Sequence, residues 1–304
     1  TVQDIGNPGS ATSMNDSGQV TGTGPHAWIW SNGQVTDLGA LTANGTSWGM
    51  QINNSGQVGG FSQASDGNNH PILYSNGKMN DLGLPPGGTA AEGWGLNNAG
   101  QVVGGGDTPD GHVAFVVTGG KMQVLPPLTG SYSPTNGAEA RGINDSGVVV
   151  GTATVGTSTS HAVMWTNGTI QDLGIATGNS LGLRINNSNQ IVGNFAQGSM
   201  WHAFLWSSGT PTDLGTIAGR DSSNAWAINN AGVVVGSSFI NAQPVKDSVA
   251  YIYQNGQLQD LNTLLPANSG WVLAIAVDIN NRGQILAGGT HNGQAGLCIL
   301  TPSK

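Results

Sequence analysis

The chain holds only two glutamates, Glu92 and Glu139. A pair of carboxylates at a fixed separation can do glycoside chemistry: one protonates a leaving oxygen while the other activates water or attacks the sugar. Proton transfer requires that one of the pair be kept neutral, by burial or by a like charge nearby. Arg141 and Arg184 lie close enough in sequence to shift the pKa values of such a pair. Trp48, Trp94 and Trp226 add rings that can stack on sugar faces, Trp201 adds a contact from a loop, and Asp278 adds a further polar group.

The two glutamates share one register, and all the others but Trp201 fall within four residues before a repeated anchor. An apolar residue followed by Asn and then Asn or Asp recurs seven times, at Met14, Ile52, Leu96, Ile143, Ile185, Ile228 and Ile279, in steps of 38, 44, 47, 42, 43 and 51 residues. Such a period signals a repeat architecture. Four residues before the anchors stand Ser10, Trp48, Glu92, Glu139, Leu181, Asn224 and Ile275. Two before stand Thr12, Met50, Trp94, Arg141, Leu183, Trp226 and Val277, and Arg184 and Asp278 directly precede their anchors. Where the copies agree they read as scaffold; where they differ, function has room.

Each unit reads as four short strands. Around Ile185 these are Ser180–Ile185, a turn at 186–189, Gln190–Gly193, a loop at 194–201, His202–Trp206, a turn at 207–209, and a strand ending at Gly215. Four residues after six of the anchors stands Gly, and after the remaining one Asn189, as a bulged hairpin closed by a left-handed residue requires. The Asn pair therefore reads as turn chemistry. Asn-Gly pairs at 32–33, 76–77, 167–168 and 255–256 predict type I′ turns between third and fourth strands. Three residues before each anchor stands only Gly or Ala, which predicts first strands crowded around an axis. The reading is all-β: a single domain over 1–304, a seven-bladed β-propeller with four antiparallel strands per blade. Thr1–Gly6 matches a fourth strand and Gln294–Leu300 a third, so the N-terminal strand is expected to complete the last blade and close the ring.

The six histidines, His26, His70, His112, His161, His202 and His291, stand at or near the start of third strands, and Asp4, Asp37, Asp81, Asp172, Asp213 and Asp260 recur in fourth strands. Spread around a ring, they cannot share one metal, and a His–Asp contact within the blade is the structural reading. The third-strand aromatics read as interblade core. The oxygen-rich loops 66–70 and 107–110 lack the spacing of a calcium loop, so no metal or cofactor is expected. Gly104–Gly106 precedes no helix and is not a phosphate loop. The lone cysteine, Cys298, lies in an apolar run and reads as core.

Only 8% of residues are charged and the net charge is −8, which argues against nucleic acid and anionic membranes, as there is no basic patch to meet phosphates. No apolar run is long enough for a transmembrane helix. Abundant Gly, Ser, Thr and Asn with few Lys point to an extracellular or cell-surface protein, and a mature secreted chain carries no signal peptide.

The pattern Ile-Asn-Asn-x-Gly-Gln-Val-Val-Gly, then His-Ala-Phe-x-Trp, then Asp-Leu-Gly resembles the bacterial HAF-repeat extracellular proteins, carried here by His202-Ala203-Phe204, His26-Ala27-Trp28, His161-Ala162-Val163 and the seven anchors. The resemblance covers the whole chain and implies a secreted or cell-surface propeller without a settled activity. The strand order also resembles NHL-type and virginiamycin B lyase-like propellers, in which the first strand is innermost; this likeness concerns architecture.

Three functions remain open. A binding module would use Trp48, Trp94, Trp226 and Trp201, with Arg184 and Asp278, to hold a glycan or other small neutral ligand at one mouth of the ring. A carbohydrate-active enzyme, a hydrolase or lyase, would use Glu92 and Glu139 with Arg141, on adjacent strands on the order of 6–10 Å apart, the range of inverting hydrolases. In a plain scaffold, which another protein is also free to bind, Glu139 pairs with an arginine and the mouth is plugged. The loops expected to shape that mouth are 83–91, 125–138, 215–224 and 261–273, with 60–69, 194–201 and 237–247.

Overall fold

The computed structural model describes residues 1–133, 135–156, 159–176, 178–241 and 246–302. Residue 134 of the expected loop 125–138 and residues 242–245 of the expected loop 237–247 lie outside the described residues. The fold is all-β. Among the described residues the sole helical element is a 3-10 turn, Leu261–Leu264, capped by Asp260, and no helix is long and apolar enough to cross a membrane.

Local chemistry makes the strands. In the unit around Ile185, Ser180–Ile185, Ile191–Gln197, Met200–Ser207 and Thr210–Gly215 pair antiparallel in that order. The first hairpin turns on Asn189 at φ 58°, and its Gly counterparts elsewhere, such as Gly100 at 76°, hold the same conformation. Asn32 and Gly33, at 50° and 83°, both lie in the left-handed region, as do the other three Asn-Gly pairs, which is the type I′ signature. The expected loop 194–201 is mostly strand: β pairing continues to Gln197, the next strand begins at Met200, and Gly198 at φ 64° makes the turn.

Pairing joins these strands into five four-stranded sheets and one eight-stranded sheet among the described residues. The larger sheet departs from the expected separation of blades. A single bridge, Thr23 to Trp48, links the first two units because Val20–Thr23 ends beside the start of Ser47–Ile52. The N-terminal strand Val2–Gly6 pairs with Gln294–Leu300 at the edge of the last sheet. Each first strand touches the next, and Trp271–Ile279 touches Ser10–Met14, so the succession closes on itself. The fold is that of a β-propeller scaffold, as expected from the repeat.

Apolar clusters lie between neighbouring sheets. Val150, Ala162 and Leu173 meet Ile191, Phe204 and Trp206 of the next unit. Ile5, Leu286 and Ile299 meet Met14, Val20, Trp28 and Trp30 across the junction of the two chain ends. The third-strand aromatics are thus core: Trp165, Phe115, Phe204 and Tyr251 are fully buried, as is Cys298, whose thiol burial pushes up to about 12. The small residues before the anchors have a different reason from the one expected. A Cβ on Gly93 would stand 2.5 Å from Gly60 O, and one on Gly182 2.9 Å from Gly151 O, each in the preceding unit. Interblade contact, rather than crowding at the axis, excludes larger side chains there.

The Asn pair does more than turn the chain. Asn97 Oδ1 accepts from the N–H groups of Ala99 and Gln101 within its own turn. Its Nδ2 reaches the next unit and donates to Asn144 O at 3.0 Å. The same bond runs from Asn15 to Asn53, Asn53 to Asn97, Asn144 to Asn186, Asn186 to Asn229, Asn229 to Asn280, and from Asn280 back to Asn15. A second closed cycle uses the following residue. Asn54 N donates to Asn98 Oδ1, Asn98 N to Asp145 Oδ1, and so on around to Asn281 N and Asp16 Oδ1.

The two cycles differ in burial, and that sets the expected effect of breaking them. Asn97→Ala removes the bond to a buried carbonyl and strands two turn N–H groups, and is expected to lower stability by about 1–3 kcal/mol in urea unfolding, whereas Asn98→Ala, on the exposed cycle, is expected to lose less than about 1 kcal/mol. Equal losses would show that burial does not govern the asparagine bonds.

Candidate functional site

Every first strand carries a register shift whose extra residue is the one two before the anchor, and Trp271–Ile279 carries a second, at Ala274. Pairing jumps from Gly93 to Gly95, Ala140 to Gly142, Ala225 to Ala227, and likewise in the other units. Trp94, Arg141 and Trp226 therefore sit on β-bulges, which re-aim a side chain out of the regular pleat.

Three adjacent first strands build a continuous cluster from these positions. Trp48 stacks on Phe61 with centroids 4.8 Å apart and planes at 20°. Phe61 meets Trp94 at 5.7 Å, and the Arg141 guanidinium lies 4.2 Å from the Trp94 ring centroid. Arg141 in turn binds Glu139 at 2.6 Å. Gly105 of the preceding unit leaves room for this, since a Cβ there would stand 3.0 Å from Glu139 Cγ. Glu92, on the strand between Trp48 and Glu139, accepts a bond from Asn69 Nδ2 at 3.0 Å. The structure thus brings Trp48, Trp94, Arg141 and Glu139 into contact and ties Glu92 to Asn69. Phe61 and Asn69 were not singled out from the sequence; Phe61 was findable as the cross-strand partner of Trp48.

The remaining candidates lie elsewhere. Trp226 Nε1 donates to Ser237 Oγ in its own unit. Trp201 is part of the strand Met200–Ser207, paired with Ala196, rather than of a loop. Arg184 and Asp278 line a cavity of about 150 Å³ beside the two asparagine cycles, at the opposite end of the first strands from Glu92. Burial pulls the Arg184 pKa down, and the charge of Arg141 adds to this while Asp278 opposes it. Burial pushes Asp278 up against the pull of Met14 N–H, the Arg184 charge, Ile279 N–H and the Ser13 hydroxyl.

All six histidines bind aspartates. His26, His70, His161, His202 and His291 pair through Nδ1 with Asp37, Asp81, Asp172, Asp213 and Asp4. His112, whose unit has Val124 in place of the aspartate, pairs with Asp107 of the adjacent strand instead. Asp260, in the unit without a histidine, caps the 3-10 turn through Asn262 N. The Asp-Leu-Gly motif also has a local reason: Asp37 Oδ1 accepts from Gly39 N at 2.7 Å, with the glycine at φ 69°. Among the described residues no group of three or more His, Cys, Asp or Glu is arranged to hold a metal.

No known family profile matches the chain, and no curated protein does. Solved structures do. YCF48 from Cyanidioschyzon merolae, a β-propeller protein, matches over 100% of this chain and 99% of its own, with TM-score 0.57 and 10% identity. The acylaminoacyl peptidase of Pyrococcus horikoshii matches over 95% of this chain and 50% of its own, with TM-score 0.55 and 10% identity. A puromycin-hydrolyzing peptidase of Mycobacterium tuberculosis matches over 89% and 47%, with TM-score 0.54 and 10% identity. The chain spans about half the length of these two peptidases. At such identity the likeness is one of fold.

The acid limb of stability follows from the rim carboxylates. Burial raises Asp16, but the bonds from Asn281 and Asn54 and the charge of Arg282 outweigh it and hold its pKa below the ordinary value. Asp145 is depressed in the same way by Asn98 and Asn187. A depressed folded pKa stabilises the folded state above the unfolded value and withdraws that contribution as pH falls through the folded one. Asp278, raised, works in the opposite sense over the range between its two values. Stability is expected to hold at neutral pH and fall below about pH 4. The Asp16→Asn, Asp145→Asn double variant should show a shallower decline by denaturant unfolding across that range; an unchanged slope would remove these carboxylates from the account.

Proposed function

We propose that the chain is a seven-bladed β-propeller, four antiparallel strands to a blade and closed by its N-terminal strand, that serves as an extracellular or cell-surface binding scaffold. In this reading the eight-stranded sheet is two blades joined by one bridge. Its ligand is a neutral, hydroxyl-rich molecule such as a glycan, held at the mouth where the first strands begin. The observation that carries this is the run Trp48–Phe61–Trp94–Arg141–Glu139, in which partly exposed indoles stand beside a charged hydrogen-bonding pair. Aromatic faces next to fixed donors and acceptors match sugars, which present both C–H faces and hydroxyls. The low charge density and the HAF-like repeat support a neutral ligand and an exported scaffold.

A carbohydrate-active enzyme is the second reading. It is favoured by the presence of Glu92 and Glu139 on adjacent first strands. The Arg141 contact then acts against it, because Glu139 is already engaged by a guanidinium at 2.6 Å rather than free to meet a substrate. The shared fold with peptidases lends no support to sugar chemistry, and their activities are not carried over.

A glycan array with wild type, Trp48→Ala and Trp94→Ala tests the binding reading. Removing a stacking indole is expected to weaken a retained glycan by about tenfold or more, since each such contact is worth about 1–3 kcal/mol. Wild type retaining no glycan sinks it. Glu92→Gln and Glu139→Gln separate the readings: lost turnover with kept binding points to the enzyme.

A further inference from the structure

We propose that the axial cavity beside the asparagine cycles binds a small zwitterion of amino-acid size, its carboxylate taken by Arg184 and its ammonium by Asp278. This site lies at the opposite end of the first strands from the aromatic cluster and goes beyond the function proposed above.

The layer just inside the inner asparagine cycle is made by the residues directly before the anchors. Three of them, Gly95, Gly142 and Ala227, are small, and two, Arg184 and Asp278, are charged. Arg184 and Asp278 stand two units apart with Ala227 between them, and all three line the cavity. Ala227 leaves space between the two charged residues, which face it. Arg184 is part-buried and touches the cavity, and its one hydrogen bond is from Nη1 to Leu183 O at 3.0 Å. Among the described residues no carboxylate lies within ion-pair distance of it, although Asp278 is near enough to act on its charge. A guanidinium carries five donors, and leaving most of them without an acceptor in an enclosed site is costly. Asp278 accepts from Met14 N at 2.7 Å at one oxygen and from Ile279 N at 2.8 Å at the other, with the Ser13 hydroxyl also beside it, which still leaves acceptor capacity.

The two charges select the ligand between them. A simple anion on Arg184 is repelled by Asp278, and a simple cation on Asp278 is repelled by Arg184. A zwitterion satisfies both and leaves the net charge of the cavity unchanged. Rim carboxylates do not compete for the ammonium: Asp16 and Asp145 are occupied by side-chain amides of Asn54 and Asn281, and of Asn98 and Asn187. A cavity of about 150 Å³ suits a molecule of benzene size, which is the scale of glycine, alanine or serine. Most rim side chains are exposed, so the cavity is reached from solvent on that face.

Titration calorimetry and ligand-detected NMR on the full chain test the site with glycine, alanine and serine, against acetate, methylammonium and N-acetylglycine. The amino acids are expected to bind, with each control weaker by at least about tenfold, or about 1.4 kcal/mol. Arg184→Gln and Asp278→Asn, each checked for fold by circular dichroism, should lose that binding, while Trp94→Ala should keep it. No amino-acid binding to wild type, which is the result for a cavity holding water alone, overturns the proposal. So does acetate binding as tightly as glycine, or folded variants that keep wild-type affinity. Where a variant does not fold, the analogue series on wild type decides alone. Glycan binding at the aromatic cluster is read separately, so either proposal can fail without the other.

Discussion

A single side-chain amide, repeated, organises this molecule. The anchor asparagine uses its oxygen to close its own hairpin and its nitrogen to hold the next unit's backbone. No other residue of that size presents an acceptor and two donors on one short planar group. Asp would lose the donors, and Gln would place the group one methylene too far for the turn. Each bond is worth roughly 1 kcal/mol net, so the cycle is of the same order as the whole net stability of a domain. Because the cycle closes from Asn280 to Asn15, it ties the two ends of the chain together as firmly as it ties neighbours.

The other repeated features answer to the same interlock. Bringing one unit's first strand against the preceding unit's hairpin demands Gly or Ala at the contact, as Gly93 against Gly60 shows. It places the third-strand aromatics between sheets, where Trp165 and Phe204 fill the wedge. Farther out, the His–Asp pairs pin third strands to fourth strands.

Much of this was legible from spacing alone. The four strands, the type I′ turns, the pairing of His161 with Asp172 and the core role of the aromatics all follow from period and residue type. The asparagine cycles were not, because a turn residue's second bond goes to a partner 38 to 51 residues away, and pattern within one unit cannot show it. The bulges were hidden for a related reason. The spacing from small residue to anchor is the same in every copy, which conceals an unpaired residue between them, since all copies slip together. That slip separates neighbouring positions: Arg184 and Asp278, directly before their anchors, turn toward the asparagine cavity, while Trp94 and Arg141, one position earlier, join the aromatic cluster.

The bulge also explains why the candidate residues fall where they do. Along a first strand, the position three before the anchor is confined by the preceding unit, and the two residues after the anchor are confined by the asparagine cycles. The bulged residue escapes the ladder's alternation, and the paired residue after it, where the next unit does not hold it to glycine as at Gly95 and Gly142, turns toward the axis. They are the inner positions at which side-chain identity can change without breaking a seam between units. The chain uses that freedom widely: Thr12, Met50, Trp94, Arg141, Leu183, Trp226 and Val277 occupy one structural position with no common chemistry. A scaffold that fixes every other inner position so tightly leaves its axis as the place where binding specificity can be written. The two charged residues of the asparagine cavity and the indoles of the opposite cluster are its separate uses of that one freedom.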